Sequence, residues 1–469
     1  MSNKSYKTVP GPKNPLVFNT TLDFIKAPLD FVLKNATTYG EIFKFRMGFD
    51  DWYVLNSAEF IHDATVRKAA KFHKPKIARR LWKLFLGDGI LTAEEAEWKR
   101  QHKLMKPGFH KRRIDSYGQT MVDYTEKMIK NWCDGEKRDL EDDMTALTLS
   151  IVTKTLFDTE VDGGVTSRVG DAMLTLNHTM VEHINMPIPV PKWWPSKTNQ
   201  RKMKAIADVE SIVNNIIQER RREGVDKGDL LSMLVFAKDE QGNSMSDREL
   251  RDQSMTLFFA GHETTAISLV WMLYLMSRHP DVVAKMRDEL DALVGDRSLC
   301  VDDLAKLPYL EMVVKESMRI LPAVWSFMKE TIEDVELGDY RVPKGSTIFI
   351  SPYVTQHNPL YFPEPEEFRP ERFSKENEKA LPKGAYVPFS AGQRICLGKM
   401  FALMESKLIL GTMVKEVDFV LPKGHQVEFL AQLSLHPKNG LPMQIIKRKR
   451  LPKQERKMVQ PRESVAASA

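Results

Sequence analysis

Phe389-Ser-Ala-Gly392-Gln-Arg394-Ile-Cys396-Leu-Gly398 sets a lone cysteine between glycines, with an arginine two residues ahead. That is the set a thiolate ligand to a haem iron needs. Gly392 and Gly398 let the backbone pass close under a flat macrocycle and take torsions closed to other residues. Arg394 presents a planar fork suited to a propionate carboxylate. Behind Cys396, the stretch Leu397 to Val414 reads as a helix with an apolar stripe of Phe401, Leu403, Leu408 and Leu410. Its positive end would lie beside the sulfur and favour the thiolate. A single cysteine in a Gly-containing turn is more often an inert buried residue. The complete spacing Phe-x-x-Gly-x-Arg-x-Cys-x-Gly is what makes the loop specific.

Three more constellations carry chemistry. Ala260-Gly261-His262-Glu263-Thr264-Thr265 falls mid-helix, where glycine and paired threonines are poor helix formers. A hydroxyl that leaves the i−4 carbonyl opens a groove for water or oxygen, and Glu263 beside Thr264 is an acid–alcohol pair able to pass protons. A tolerated polar patch on a core helix is the plainer alternative. His262-Glu263 also begins the HExxH of zinc proteases, but Ala266 fills the second histidine position and ends that reading. Glu316-Ser-Met-Arg319 places opposite charges on one face of an otherwise apolar helix, and Arg372 is positioned to complete a buried triad. Trp98-Lys-Arg-Gln-His102 puts an indole N–H and an imidazole one turn apart, both able to donate to propionates or to sit as surface groups.

The elements that must hold these groups are mostly helical. A Pro-rich lead and a helix-like stretch precede a hairpin, 41–45 with 52–55, around Gly48 to Asp51. Helical periodicity dominates from 56 to about 330, with starts at Asp281 and Val301. Helices near 166–184 and 198–222 flank the Pro-rich loop Met186 to Pro195, either a spacer or a lid. Strand signals return at 335–337, 347–350 and 425–446. The expected organisation is one unit over 1–446, mostly α with small β-sheets, and a basic tail over 447–469. That tail carries eight Lys/Arg against Glu455 and Glu463, the whole of the chain's net +6, so the high pI gives no reason to expect nucleic acid. Three cysteines, no CxxC pair and no signal peptide point to a reducing cytoplasm. Met255 to Met276 has the length of a bilayer span, yet Glu263 at its centre argues for a buried core helix instead.

Together the four motifs, in this order, resemble the cytochrome P450 family over essentially the whole chain. The resemblance implies the P450 fold, with haem b between the long central helix and the cysteine loop, and a haem-thiolate monooxygenase using O2. It makes Cys396 the iron ligand and Phe389, Gly392, Gly398, Trp98, His102 and Arg394 the cofactor shell. Glu263 and Thr264 become the proton-handling pair, and Glu316, Arg319 and Arg372 the brace of the cysteine loop. With no GxGxxG in the chain, electrons would come from a separate reductase, ferredoxin or flavodoxin. Arg100, Lys103, Lys106, Lys399 and Lys407 lie on the segments expected to meet it. The pocket is expected at Leu81, Phe85, Phe259, Ala260, Val324, Trp325, Phe327 and Leu433, all suited to a hydrophobic ligand. Tyr39-Gly-Glu-Ile-Phe-Lys-Phe45 is similar to soluble bacterial fatty-acid hydroxylases, which favours a fatty acid to be hydroxylated or epoxidised. Asp50-Asp51 departs from the cationic hairpin of those enzymes, leaving Lys44, Arg46, Arg79 and Arg80 as carboxylate anchors and a terpenoid or steroid as competitor. A peroxygenase or isomerase, or a haem-binding sensor without turnover, are the alternatives of another class.

Overall fold

The computed structural model describes residues 5–13, 19–158, 172, 175–176 and 196–448, and within them all but the side chains of Ile77 and Leu81. The loop 186–195 and all but the first two residues of the basic segment lie outside them. So does nearly all of the helix expected at 166–184.

The central element is the helix Asp247–Arg278. Its start is a capping box in which the Ser246 side chain meets the Glu249 N–H while the Glu249 carboxylate accepts from the Ser246 N–H. Such a cap contributes about 1 kcal/mol. The helix runs unbroken through Gly261 to Thr265 because tertiary packing overrides their propensities. Gly261 faces Val152, where an added Cβ would sit 3.3 Å from a methyl, so the helix Leu140–Phe157 approaches closely. Phe157 stacks on Phe258 at 4.3 Å, and Thr148 donates to the His262 carbonyl at 3.0 Å. On the other side lie the helices Pro308–Ile320 and Lys399–Glu416, the latter starting two residues later than its apolar stripe predicts.

The hairpin Ile42–Met47 with Asp50–Leu55 forms as expected and starts a five-stranded sheet. Its other strands, in spatial order, are Thr347–Ile350, Phe327–Thr331 and Phe72–His73. Near the C-terminus, Phe429–Ala431 pairs with Leu435–Pro437, and Pro442–Lys447 lies between Val417–Val420 and Lys137–Asp139. The last of these falls inside the region expected to be helical. Its Lys-Arg-Asp sequence has no strand character, and pairing with 442–444 alone makes it one. Lys447 ends a strand and Arg448 pairs with Asp291 at 2.9 Å. Among the described residues, no helix is long and apolar enough to cross a membrane.

Candidate active site

The central helix and the cysteine loop face each other across a cavity of about 1490 Å³. Cys396, Phe389, Arg394 and Gly398 line one side; Ala260, Glu263 and Thr264 line the other. The loop is fixed by its own backbone, with the Cys396 N–H donating to the Phe389 carbonyl at 3.0 Å. The sulfur opens on the cavity, and burial pushes its thiol above the ordinary range. The Gly398 and Lys399 amides and the Lys399 charge oppose that shift without overcoming it. Gly392 takes the left-handed torsion expected of it and makes a close contact that the motif did not show. It does not line the cavity; at φ +71° its α-carbon packs against Thr65, where a Cβ would meet the carbonyl at 2.1 Å.

Arg394 donates to the Ala93 carbonyl at 3.0 Å, pairs with Glu94, and lies 4.1 Å over the Trp98 ring. His102 stacks on the opposite end of this array, 4.9 Å from Trp98. Burial, then Lys106 and Arg394, lower its pKa, so it is a neutral donor at pH 7. Two cations unseen in the motif reading join them. Lys74 follows the strand Phe72–His73, Lys329 sits in the strand Phe327–Thr331, and both line the cavity. Burial followed by the Arg394 charge lowers Lys74 to about 7 and Lys329 to about 8, with Glu94 the carboxylate set against them.

Opposite, Thr264 keeps its hydroxyl on the Ala260 carbonyl at 2.8 Å, so it closes the groove its side chain was expected to open. Rotation about χ1 would turn the donor into the cavity. Glu263 Oε1 accepts from Ser434 at 2.8 Å and from His436 Nε2 at 3.2 Å. Behind the cysteine, Glu405 is fully buried and pushed up to about 8 by burial, with the Thr265 hydroxyl the opposing influence. It is a neutral acid at pH 7 and was also missed.

Glu316 and Arg319 are both fully buried and bonded in a fork at 2.7 and 2.9 Å, with Arg372 Nε 3.3 Å from the same carboxylate. The triad geometry is thus assembled.

The cytochrome P450 family profile matches residues 9–442. The chain belongs to the cytochrome P450 family. It is 32% identical to cyclooctat-9-en-7-ol 5-monooxygenase of Streptomyces melanosporofaciens, over 87% of this chain and 89% of that one. It is 28% identical to pentalenene oxygenase of Streptomyces avermitilis, over 89% and 92%. The crystal structure of the cytochrome P450DA heme domain superposes with a TM-score of 0.87 at 25% identity, covering 95% of this chain and 99% of that one. This P450 is accordingly a haem-dependent monooxygenase acting with O2 on a hydrophobic substrate.

The residues present fit the haem. A dianionic pair of propionates would answer the cations gathered at Arg394, Lys74 and Lys329, whose pKa values burial depresses and which have Glu94 as their shared carboxylate. Trp98 and His102 would supply neutral donors to it, and Cys396 would be the soft ligand for its iron. Above that face, Phe259, Val324, Trp325, Phe327 and Leu433 line the cavity as the family pattern suggests. Phe85 does not. It is buried behind Trp82 and Phe259, at 5.9 and 5.1 Å, and Trp82 takes the lining position instead. The Leu81 side chain lies outside the described residues.

Of the expected anchors in the hairpin, Lys44 and Arg46 both pair with Asp51, at 3.4 and 3.2 Å, and neither reaches the cavity. Arg80 is exposed. Arg79 does line the cavity, and among the described residues its guanidinium makes no hydrogen bond or ion pair. On the cysteine side, Arg100, Lys103 and Lys407 are already paired with Asp239, Glu240 and Glu311. Lys106 and Lys399 are the cations left to meet a partner there.

Proposed function

We propose that this P450 hydroxylates or epoxidises a cyclic terpenoid with electrons from a separate redox protein. The observation that carries the substrate class is the cavity wall. Trp82, Phe259, Phe327 and Leu433 form an apolar chamber, and Asp51 neutralises the hairpin cations a fatty carboxylate would need. Two relatives whose names state terpenoid oxygenation support it.

The haem, when bound, supplies reductive activation of oxygen at an iron made electron-rich by the Cys396 thiolate. The chain's own part is positioning and proton handling. Phe259, Phe327 and Leu433 exclude water and press the substrate toward Thr264. Thr264 holds a proton on Oγ1, at present directed to Ala260, and Glu263 behind it is the acid from which that proton is renewed. Thr264→Ala is expected to keep oxygen uptake while oxygenation falls by about 100-fold and electrons leave as hydrogen peroxide. Peroxide released per oxygen consumed measures this, and unchanged coupling would remove Thr264 from the proton path. Intact Glu263 and Thr264 also speak against a peroxygenase, an isomerase or a sensor.

An optical titration of the ferric protein, with a cyclic diterpene alcohol and a long-chain fatty acid in parallel, tests the substrate class. A low-spin to high-spin shift with the terpenoid is expected. A shift with the fatty acid alone would overturn the terpenoid reading and make Arg79 the carboxylate anchor, to be checked with Arg79→Ala.

A further inference from the structure

Glu263 is joined to a second acid through one imidazole. His436 Nε2 lies 3.2 Å from Glu263 Oε1, and His436 Nδ1 lies 2.7 Å from Glu141 Oε1. Three separate elements meet here: the central helix, the strand Leu435–Pro437 and the first turn of the helix Leu140–Phe157. Ser434, just ahead of this strand, and His436 within it both contact the same carboxylate oxygen. Side-chain exposure rises along the array, from 10% at Glu263 through 15% at His436 to 22% at Glu141, so it leads from the cavity toward solvent.

We propose that His436, held between Glu141 and Glu263, is the proton source that recharges Glu263 during turnover. This rests on the reading of Glu263 and Thr264 given above. The imidazolium gives its Nε2 proton to the Glu263 carboxylate, an N–H bond breaking as an O–H bond forms. The ring is left neutral with Nδ1–H on Glu141. A proton delivered by water to the vacated Nε2 restores the cation. His436 acts through Glu263 and touches no substrate.

The surroundings keep the ring charged. Burial works against the cation, but the carboxylates of Glu141 and Glu263 outweigh it and hold the pKa at about 9. The other charged groups near by come from every packed element. Asp139, Asp142 and Asp143 lie beside Glu141, with Asp143 neutralised by Arg138 at 2.6 Å. His262 on the central helix is neutral through burial and bonded to the Phe258 carbonyl, and Lys438 on the hairpin strand pairs with exposed Glu428. The proton is lost as pH rises through about 9, so the relay is full at neutral pH and fails in alkali.

The test uses the haem-loaded protein with a surrogate ferredoxin and its reductase, without substrate, from pH 6 to 10. The readout is the fraction of consumed electrons recovered as hydrogen peroxide. In the parent this fraction is expected to rise as pH passes about 9. His436→Gln should show the high fraction at every pH. His436→Lys should restore the low fraction and move the rise upward by about one pH unit, since an ordinary lysine titrates near ~10.4. Glu141→Gln should move the rise downward toward the ordinary histidine range. Retention of the carbon monoxide difference spectrum shows that each variant has folded; should His436→Gln fail it, the opposite displacements in the other two carry the test. Parental profiles in all folded variants overturn the proposal. Thr264→Ala and Glu263→Gln are run alongside. If they raise the peroxide fraction while the His436 and Glu141 variants do not, only the role of His436 falls; if they too are silent, the Glu263–Thr264 assignment falls with it.

Discussion

Cys396→Ser is expected to leave a folded, haem-binding protein that has lost the thiolate signature in its carbon monoxide spectrum and all oxygenase activity. The substitution removes one property and little else. The loop's shape is set by the Cys396 N–H on the Phe389 carbonyl and by Gly392 against Thr65, neither of which uses the side chain. Arg394, Lys74, Lys329, Trp98 and His102 line the same cavity, are untouched by the substitution and would still hold the haem. A serine hydroxyl does not ionise in this range and is a poor donor to iron, so the electron-rich metal that oxygen activation needs is gone. Persistence of the thiolate spectrum in the variant would overturn the ligand assignment. Loss of haem altogether would show that the sulfur, and not the cation cluster, holds the cofactor.

What was legible in the sequence follows how each feature is built. The cysteine loop is contiguous, so its residue types and spacing were legible together, and Glu316 with Arg319 sit one helical turn apart. Lys74, Lys329, Glu141 and His436 were not legible as site residues. They belong to strands and helix starts brought together only by pairing, as His436 and Glu141 are across 295 positions. Ser434 and His436 did leave a local signal, two polar groups at strand spacing between Leu433 and Leu435. Phe85 was misplaced for a subtler reason. Helix periodicity tells which residues share a face but not which way the face turns, and the fit of Phe85 against Phe259 turned Trp82 to the cavity. The torsion of Gly392 was legible, but its contact was not, because that contact is with Thr65, more than three hundred residues earlier.

The second large effect expected lies away from the cavity. Glu316→Ala should destabilise the holoprotein by about 3–5 kcal/mol, the cost of a buried charge left without its partner. Burial already pushes the Glu316 carboxyl upward despite Arg319 and Arg372, so desolvation consumes much of what the ion pair returns. The pair's value lies in what it positions. Arg319 also donates to the Gln356 and Glu367 carbonyls at 2.9 and 3.2 Å, and the Arg369 N–H donates to Glu316. The Gln356 amide in turn reaches the Met318 and Arg319 carbonyls, and its oxygen accepts from the Val387 N–H at 3.2 Å. Val387 is two residues before Phe389, whose carbonyl holds Cys396 in place. Glu316→Ala should therefore lower the denaturation midpoint and weaken haem retention together. The pair Glu316→Leu with Arg319→Met, which leaves only the charge of Arg372 without its carboxylate, should recover part of the midpoint but not the haem retention. Recovery of both would mean that the triad stabilises the helix Pro308–Ile320 locally and does not brace the cysteine loop. Recovery of neither would show that the carbonyl contacts of Arg319, more than its charge, carry the stability.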